Sequence, residues 1–137
     1  NTMALWLTLD NPIPAEVVAR PLGMEGGIHG LEHSLIGMMP LYAMCDRLDI
    51  GGASHPFHPQ TTLPTIFVYD AHPGGVGISE AAYSKADELL IATLEAVAQC
   101  PCREGCPSCI QSPKCGNNNF PLDKQAAVSL FRYFSGE

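Results

Sequence analysis

Five of the six cysteines in this 137-residue chain fall between Cys100 and Cys115, in the segment CPCREGCPSCIQSPKC. The spacing is C-x-C-x3-C-x2-C-x5-C. Thiolate sulfur suits zinc, which takes four tetrahedral ligands, and two intervening residues bring a pair of sulfurs to one ion. Cys106 and Cys109 form such a pair, with Gly105 before it and Gly116 after Cys115 permitting tight turns. Cys102 is the next expected ligand. The fourth place lies between Cys115 and Cys100, and Cys100, at the end of a helix, is the expected spare, although C-x-C spacing also chelates. Four thiolates hold an iron–sulfur cluster as readily in principle. A four-cysteine zinc site is closed, with no position for water, so Zn2+ here implies a structural role. Disulfides staple distant loops, whereas these cysteines are bunched and only Cys45 stands apart. A reducing compartment, the cytoplasm, is expected.

Two further segments carry chemistry. His29-Gly-Leu-Glu32-His33 matches the inverted H-x-x-E-H pattern of metallopeptidases. On a helix, His29 and His33 share one face and are able to chelate, with Glu32 as general base. A third ligand would come from Asp70, His72 or Glu88. The plainer expectation is a helix whose histidines make hydrogen bonds or line a groove. The second segment, Asp70 to Gly77 (DAHPGGVG), joins a strand to a helix. Gly74, Gly75 and Gly77 there could offer backbone N–H groups to an anion or meet a neighbouring domain. The order matches neither a P-loop nor a dinucleotide fingerprint. A tight turn is again the plainer expectation, with Asp70 capping or orienting it.

These residues need elements to position them. Met3–Leu9 and Thr65–Tyr69 read as strands, the second β-branched, aromatic and buried. Asp46–Gly52 reads as a short strand and Ser54–Pro64 as a loop. Apolar residues at helical spacing predict helices over Ile28–Cys45, divided at Pro40, over Ile78–Gln99, with Ser79 or Ser84 as caps, and over Leu122–Phe134. The expected class is α+β: a small mixed sheet flanked by long helices, with a four-cysteine zinc knuckle before the C-terminal helix. The length fits one domain.

Net charge is −7, from 14 acidic against 7 basic residues. That argues against a domain that grips nucleic acid by itself, since phosphate neutralisation needs Lys and Arg. The bases Arg103, Lys114 and Lys124 nevertheless fall near the cysteines, so a local basic patch is expected. No apolar run approaches the roughly 20 residues of a membrane-spanning helix, and no membrane partner is expected. The chain begins at Asn1 with no initiator methionine and no basic-headed signal peptide, and it is expected to be a piece of a longer protein.

Taken together, the HGLEH helix, the strand and turn FVYDAHPGGVG, the segment CPCREGCPSCIQSPKCGNNN and the following Leu122-Asp-Lys-Gln-Ala-Ala run in order from Gly26 to Phe131. In this the chain resembles the zinc-binding C-terminal domain of superfamily II helicases of the mitomycin repair factor A type. The cysteine segment continuing into CGNNN-x2-LDK is the most specific part. The resemblance implies a parent 3′-to-5′ DNA translocase linked to repair, whose upstream motor lobes hold the ATP site. It also implies an accessory domain that packs on that motor and helps shape the DNA path. The chain has no Walker A sequence and no D-E-x-H box, so it is not expected to hydrolyse ATP itself. Arg103, Lys114 and Lys124 are then the first candidates for DNA contact. The family pattern includes five cysteines and leaves the spare one open. Two other functions stand beside this one: a metal-dependent hydrolase built on His29, Glu32 and His33, and a protein-interaction module using the glycine turn or apolar helix faces.

Overall fold

The computed structural model describes residues 4–8, 17, 19–20, 23–43, 45, 49–55, 64–71, 77–103, 105–106, 109–112, 115 and 119–135. The elements are β1 (Ala4–Thr8), α1 (Gly23–Met38), α2 (Pro40–Ala43), β2 (Ile50–His55), β3 (Thr65–Asp70), α3 (Ile78–Tyr83), α4 (Ala86–Gln99) and α5 (Lys124–Ser135). The α+β class expected from the sequence is present.

The strand richest in β-branched and aromatic residues, β3, takes the centre of a three-stranded sheet ordered β1-β3-β2. Both ladders are antiparallel, with Leu7 opposite Ile66 and Gly52 opposite Val68. The expected mixed sheet is therefore corrected to an antiparallel one. The helical crossover between β1 and β2 does leave those two strands parallel, but β3 lies between them, so no parallel ladder forms. Strand β2 continues through Ser54 and His55, which the sequence assigned to a loop. Glycine is a poor strand former, so the pair Gly51-Gly52 reads as the end of the expected short strand and concealed its continuation. Their need is steric. A Cβ on Gly51 would stand 2.6 Å from the Tyr69 ring, and one on Gly52 would stand 2.8 Å from Ile36 Cδ1.

Helix α1 begins five residues before the expected Ile28. The early turn is rich in glycine, a weak helix former, which hides it from a periodicity argument. Pro40 divides the helix as expected, and α2 restarts there. The long helix expected over Ile78–Gln99 is broken at Ser84-Lys85, where Ser84 Oγ donates to the Ala81 carbonyl and Lys85 N to that of Ala82.

Helix α1 is the centre of the molecule. Ile28, Leu31, Leu35 and Ile36 pack with Ile50, Ile66 and Val68 of the sheet, Leu89, Leu94 and Val97 of α4, and Leu130 and Phe131 of α5. A fully buried side chain of this kind contributes ~1.5–3 kcal/mol. Because α1 is covered on every side from Gly26 to Ile36, its polar residues His29, Glu32, His33 and Ser34 are carried into the interior. Its approach to α5 depends on Gly26. A Cβ there would lie 2.9 Å from the Asp123 backbone N and 3.0 Å from the Leu122 carbonyl carbon, while Asp123 N donates to the Gly26 carbonyl. Gly30 meets only Ala127 and Ile110 side chains, at 3.5 Å. Gly26→Ala is therefore expected to destabilise the chain by about 1–3 kcal/mol. Gly30→Ala is expected to be neutral or to stabilise by up to about 1 kcal/mol, because a methyl fits and helix propensity improves. Thermal unfolding of the two variants side by side checks this, and the reverse order would contradict the close α1–α5 packing.

Candidate metal centre

Cys100 caps the C-terminus of α4 in an extended conformation, so the chain leaves the helix and turns back at once. Cys102, Cys106 and Cys109 follow on an irregular segment tightened by Gly105 at φ 119°, a left-handed conformation suited to glycine. The knuckle closes through Cys109 N and Gln111 N, both donating to the Cys106 carbonyl. Four sulfurs result that face one another: Cys100 to Cys106 at 3.4 Å, Cys102 to Cys109 at 3.4 Å and Cys106 to Cys109 at 3.8 Å. Zn–S bonds of about 2.3 Å in a tetrahedron set sulfurs roughly 3.8 Å apart, while a disulfide would bring them to about 2.05 Å. The donor set fits one tetrahedral ion. The structure thus reverses the expected order of the two uncertain cysteines: Cys100 joins the cluster and Cys115 stands outside it.

The cluster is held to the core from both sides. Ser34 Oγ of α1 donates to the Cys109 carbonyl at 2.8 Å. Lys124, the first residue of α5, is 5 % exposed and turns inward. Its ammonium donates to the carbonyls of Cys100 (2.8 Å) and Cys102 (2.6 Å) and lies 3.2 Å from Cys102 Sγ. Burial works against charge on Cys102, but the Lys124 ammonium and the neighbouring thiols outweigh it and bring the thiol down to about 6. Burial pushes the Cys109 thiol up to about 12. Four thiolates around a divalent ion carry a net charge of −2, and a buried ammonium in contact with one of them offsets part of it. Lys124, expected at a DNA contact, is instead buried against the cluster.

A second group of metal-capable side chains forms among the described residues: His29, His33 and Cys115, with donor atoms all within 4.8 Å of one another. Cys115 Sγ lies 3.5 Å from His29 Nε2. The imidazole rings of His29 and His33 stand 4.2 Å apart between centroids. Neither Asp70 nor Glu88 supplies the third member expected from sequence. Asp70 is engaged elsewhere, Glu88 is exposed on α4, and His72 lies outside the described residues. Glu32 is buried, and burial pushes its carboxyl up to about 7 against a hydrogen bond with Ser54.

The family model of the MrfA zinc-binding domain matches residues 31–110, more than half of the chain and the whole of the four-cysteine cluster. The chain belongs to the MrfA zinc-binding domain family. Zinc is therefore the ion that the four-cysteine cluster of this domain is positioned to bind. Among its relatives, an uncharacterised protein of Methanocaldococcus jannaschii is 38% identical over 106 residues, which cover 75% of this chain and 95% of that protein. The ATP-dependent helicase YprA of Bacillus subtilis is 36% identical over 113 residues, 80% of this chain but 14% of the helicase. ATP-dependent helicase HRQ1 of Saccharomyces cerevisiae is 25% identical over 146 residues, 99% of this chain and again 14% of the helicase. In three dimensions the chain is similar to the crystal structure of the DUF1998 helicase MrfA bound to DNA, with a TM-score of 0.73 and 32% identity. That match covers 96% of this chain and 17% of the MrfA chain. This MrfA zinc-binding domain thus spans a small fraction of its helicase relatives and nearly all of its archaeal one.

Of the other residues singled out in this MrfA zinc-binding domain, Arg103 is exposed beside the cluster, while Lys114, Gly74 and Gly75 lie outside the described residues. The described part of the glycine turn already contains its anion. The Asp70 carboxylate, 1 % exposed, accepts from Gly77 N (3.1 Å), Ile78 N (3.2 Å), Ser79 N (2.8 Å) and Ser79 Oγ (2.7 Å). The N–H groups expected to meet an exogenous anion at Gly77 are thus taken by Asp70, as its expected capping role requires. Ser79, expected as the cap itself, supports the carboxylate instead. Sequence inspection missed Lys124 as a partner of the sulfurs and Cys115 as a partner of His29. Only the adjacency of Lys124 to the cysteine segment hinted at the first.

Proposed function

We propose that this chain is the zinc-stabilised accessory domain of an ATP-dependent DNA helicase. In this assignment Cys100, Cys102, Cys106 and Cys109 hold a structural zinc. The domain packs on motor lobes of the same polypeptide, helps shape the DNA path and performs no catalysis of its own, and the parent works in DNA repair in the cytoplasm. The observation that carries this is the match of almost the whole chain to part of the DNA-bound MrfA helicase. The helicases YprA and HRQ1, matched over only 14% of their length, support a parent with a motor elsewhere. Leu41 and Tyr83, each 72 % exposed on short helices, are suited to cover by such lobes.

DNA contact is assigned to Arg103, exposed beside the cluster, and to Lys114, which directly precedes Cys115 in sequence, with Lys124 excluded by its burial. In the full-length parent, Arg103→Glu is expected to weaken DNA binding several-fold and to reduce the slope of log affinity against log salt by about 1. Deletion of this domain is expected to lower DNA unwinding at least tenfold. Unwinding unchanged by the deletion would overturn the accessory assignment, and a salt slope unchanged by Arg103→Glu would move the DNA contact elsewhere.

A further inference from the structure

The HGLEH helix presents two imidazoles whose chemistry the four-cysteine cluster does not use. His29 and His33 lie one turn apart on α1 and are 8 % and 5 % exposed. His29 Nδ1 is 2.7 Å from the Pro121 carbonyl oxygen, and His33 Nδ1 is 2.7 Å from that of Ile110. A carbonyl oxygen only accepts, so each ring carries a proton on Nδ1, and the neutral ring then has its lone pair on Nε2. Metal-ligating histidines are fixed in this way, with the outer nitrogen donating to a carbonyl or carboxylate. One such ring is common in a protein core. Two on the same helix face, both set to the same tautomer by carbonyls from the segments flanking Cys115, are less readily explained by packing alone.

Cys115 supplies the third donor. Its sulfur stands 3.5 Å from His29 Nε2, and nitrogen and sulfur ligands of a tetrahedral zinc lie roughly 3.6 Å apart, given bonds of about 2.0–2.1 and 2.3 Å. All three donor atoms fall within 4.8 Å of one another. They line a cavity of about 810 Å³ whose wall also includes Glu32, Ser54 and Tyr69. The donors therefore do not face closed protein on every side, as four cysteines around zinc do.

We propose that His29, His33 and Cys115 form a second metal site, separate from the four-cysteine cluster. It takes a divalent transition metal of zinc's class and leaves the fourth coordination position open to the cavity. Two imidazoles and one thiolate are a borderline-soft set that suits zinc or cobalt and disfavours the oxygen-seeking Mg2+ and Ca2+. Three protein ligands with one position for water or another small ligand is the composition of exchangeable zinc sites, in contrast to the closed structural cluster. The sequence supplied two of the ligands but no third, because Cys115 is 86 residues from His29 and sits in a segment where every cysteine reads as part of one cluster. This inference does not depend on the helicase assignment.

The test uses the chain with zinc and cobalt(II) as probes. The zinc-saturated native chain is expected to contain two zinc ions, one of which is lost on dialysis against a weak chelator. Cobalt(II) added to the dialysed protein, its cluster still holding zinc, is expected to bind at one equivalent. Its thiolate-to-cobalt absorption should be about a quarter of that shown when cobalt fills the four-thiolate cluster. Cys115→Ser should remove that absorption and leave one zinc per chain, with far-UV circular dichroism and the unfolding temperature of the dialysed protein unchanged. His33→Gln should also leave one zinc per chain. In the native chain, bound cobalt should slow alkylation of Cys115 at least tenfold. Saturation of the native chain at one zinc, cobalt absorption that persists in Cys115→Ser, or alkylation indifferent to cobalt would each overturn the proposal.

Discussion

Removal of zinc from the cluster is expected to unfold the C-terminal part of the chain and, with it, the domain. The segment from Cys100 to Ser112 contains no helix or strand among its described residues, yet it delivers buried Cys109 and Ile110 to the core. The sulfurs are the common point to which its turns converge, and Lys124 ties the start of α5 to the same place. Structural zinc in small domains contributes ~10–16 kcal/mol near neutral pH, as large as the ~5–15 kcal/mol that a whole domain has in hand. Strong chelation, Cys106→Ser or Cys109→Ser should therefore give a chain without a cooperative thermal transition above room temperature, followed by circular dichroism alongside elemental analysis for zinc and iron. In the chain dialysed free of any second metal, Cys115→Ser, outside the cluster, should keep its transition to within about 1 kcal/mol, as a conservative change at a half-buried site does. A metal-free chain that melts cooperatively at the native temperature would remove the structural role of zinc. Equal loss of folding in Cys115→Ser would remove the division of the five cysteines into four and one.

The second large effect is expected at Asp70. One buried carboxylate accepts four hydrogen bonds at the junction of β3 and α3. Three of the donors are backbone N–H groups at the start of a helix, where no carbonyl of the same helix is placed to accept them. Hydrogen bonds to a charged group are worth ~1.5–3 kcal/mol each, and donors left buried without an acceptor add a desolvation penalty. The bonds share one acceptor and are not additive, so Asp70→Ala is expected to lower stability by about 3–5 kcal/mol, read from urea denaturation of the zinc-loaded chain. Asp70→Asn should be nearly as damaging. Its amide nitrogen donates where Gly77, Ile78 and Ser79 also donate, so only one of its two branches is able to accept. Zinc content should be unchanged in both variants, because the four hydrogen bonds of Asp70 go to the start of α3 at Gly77, Ile78 and Ser79. A loss below about 1 kcal/mol in Asp70→Ala would show that this junction is held by packing alone.

The chemistry of the cluster and the central strand were legible because each is written in local spacing. A C-x2-C pair chelates by its own geometry, and a β-branched, aromatic run such as TIFVY favours a strand wherever it lies. Pro40 divided its helix for an equally local reason: it has no N–H to give and fixes its own φ. Asp70 was legible as a capping residue because a carboxylate between a strand and a helix has donors close at hand.

Tertiary structure decided what chemically identical residues do. Cys100 and Cys115 are the same thiol, and Cys100 was the expected spare because it ends a helix, although its C-x-C spacing also chelates. The C-terminus of α4 delivers Cys100 to the other three sulfurs, while packing of α1 against the cysteine segment leaves Cys115 beside His29. Lys124 and Arg103 are alike in charge and in nearness to the cysteines, yet α5 turns one inward and the other stays exposed. Glycines that weaken helix and strand propensity mark, at Gly26, Gly51 and Gly52, the places where elements approach too closely for a side chain. The sequence by itself determined that this chain would gather thiolates around one metal centre. Which thiol remained outside, and that it would meet two oriented histidines, depended on contacts between residues 86 positions apart, which no local pattern records.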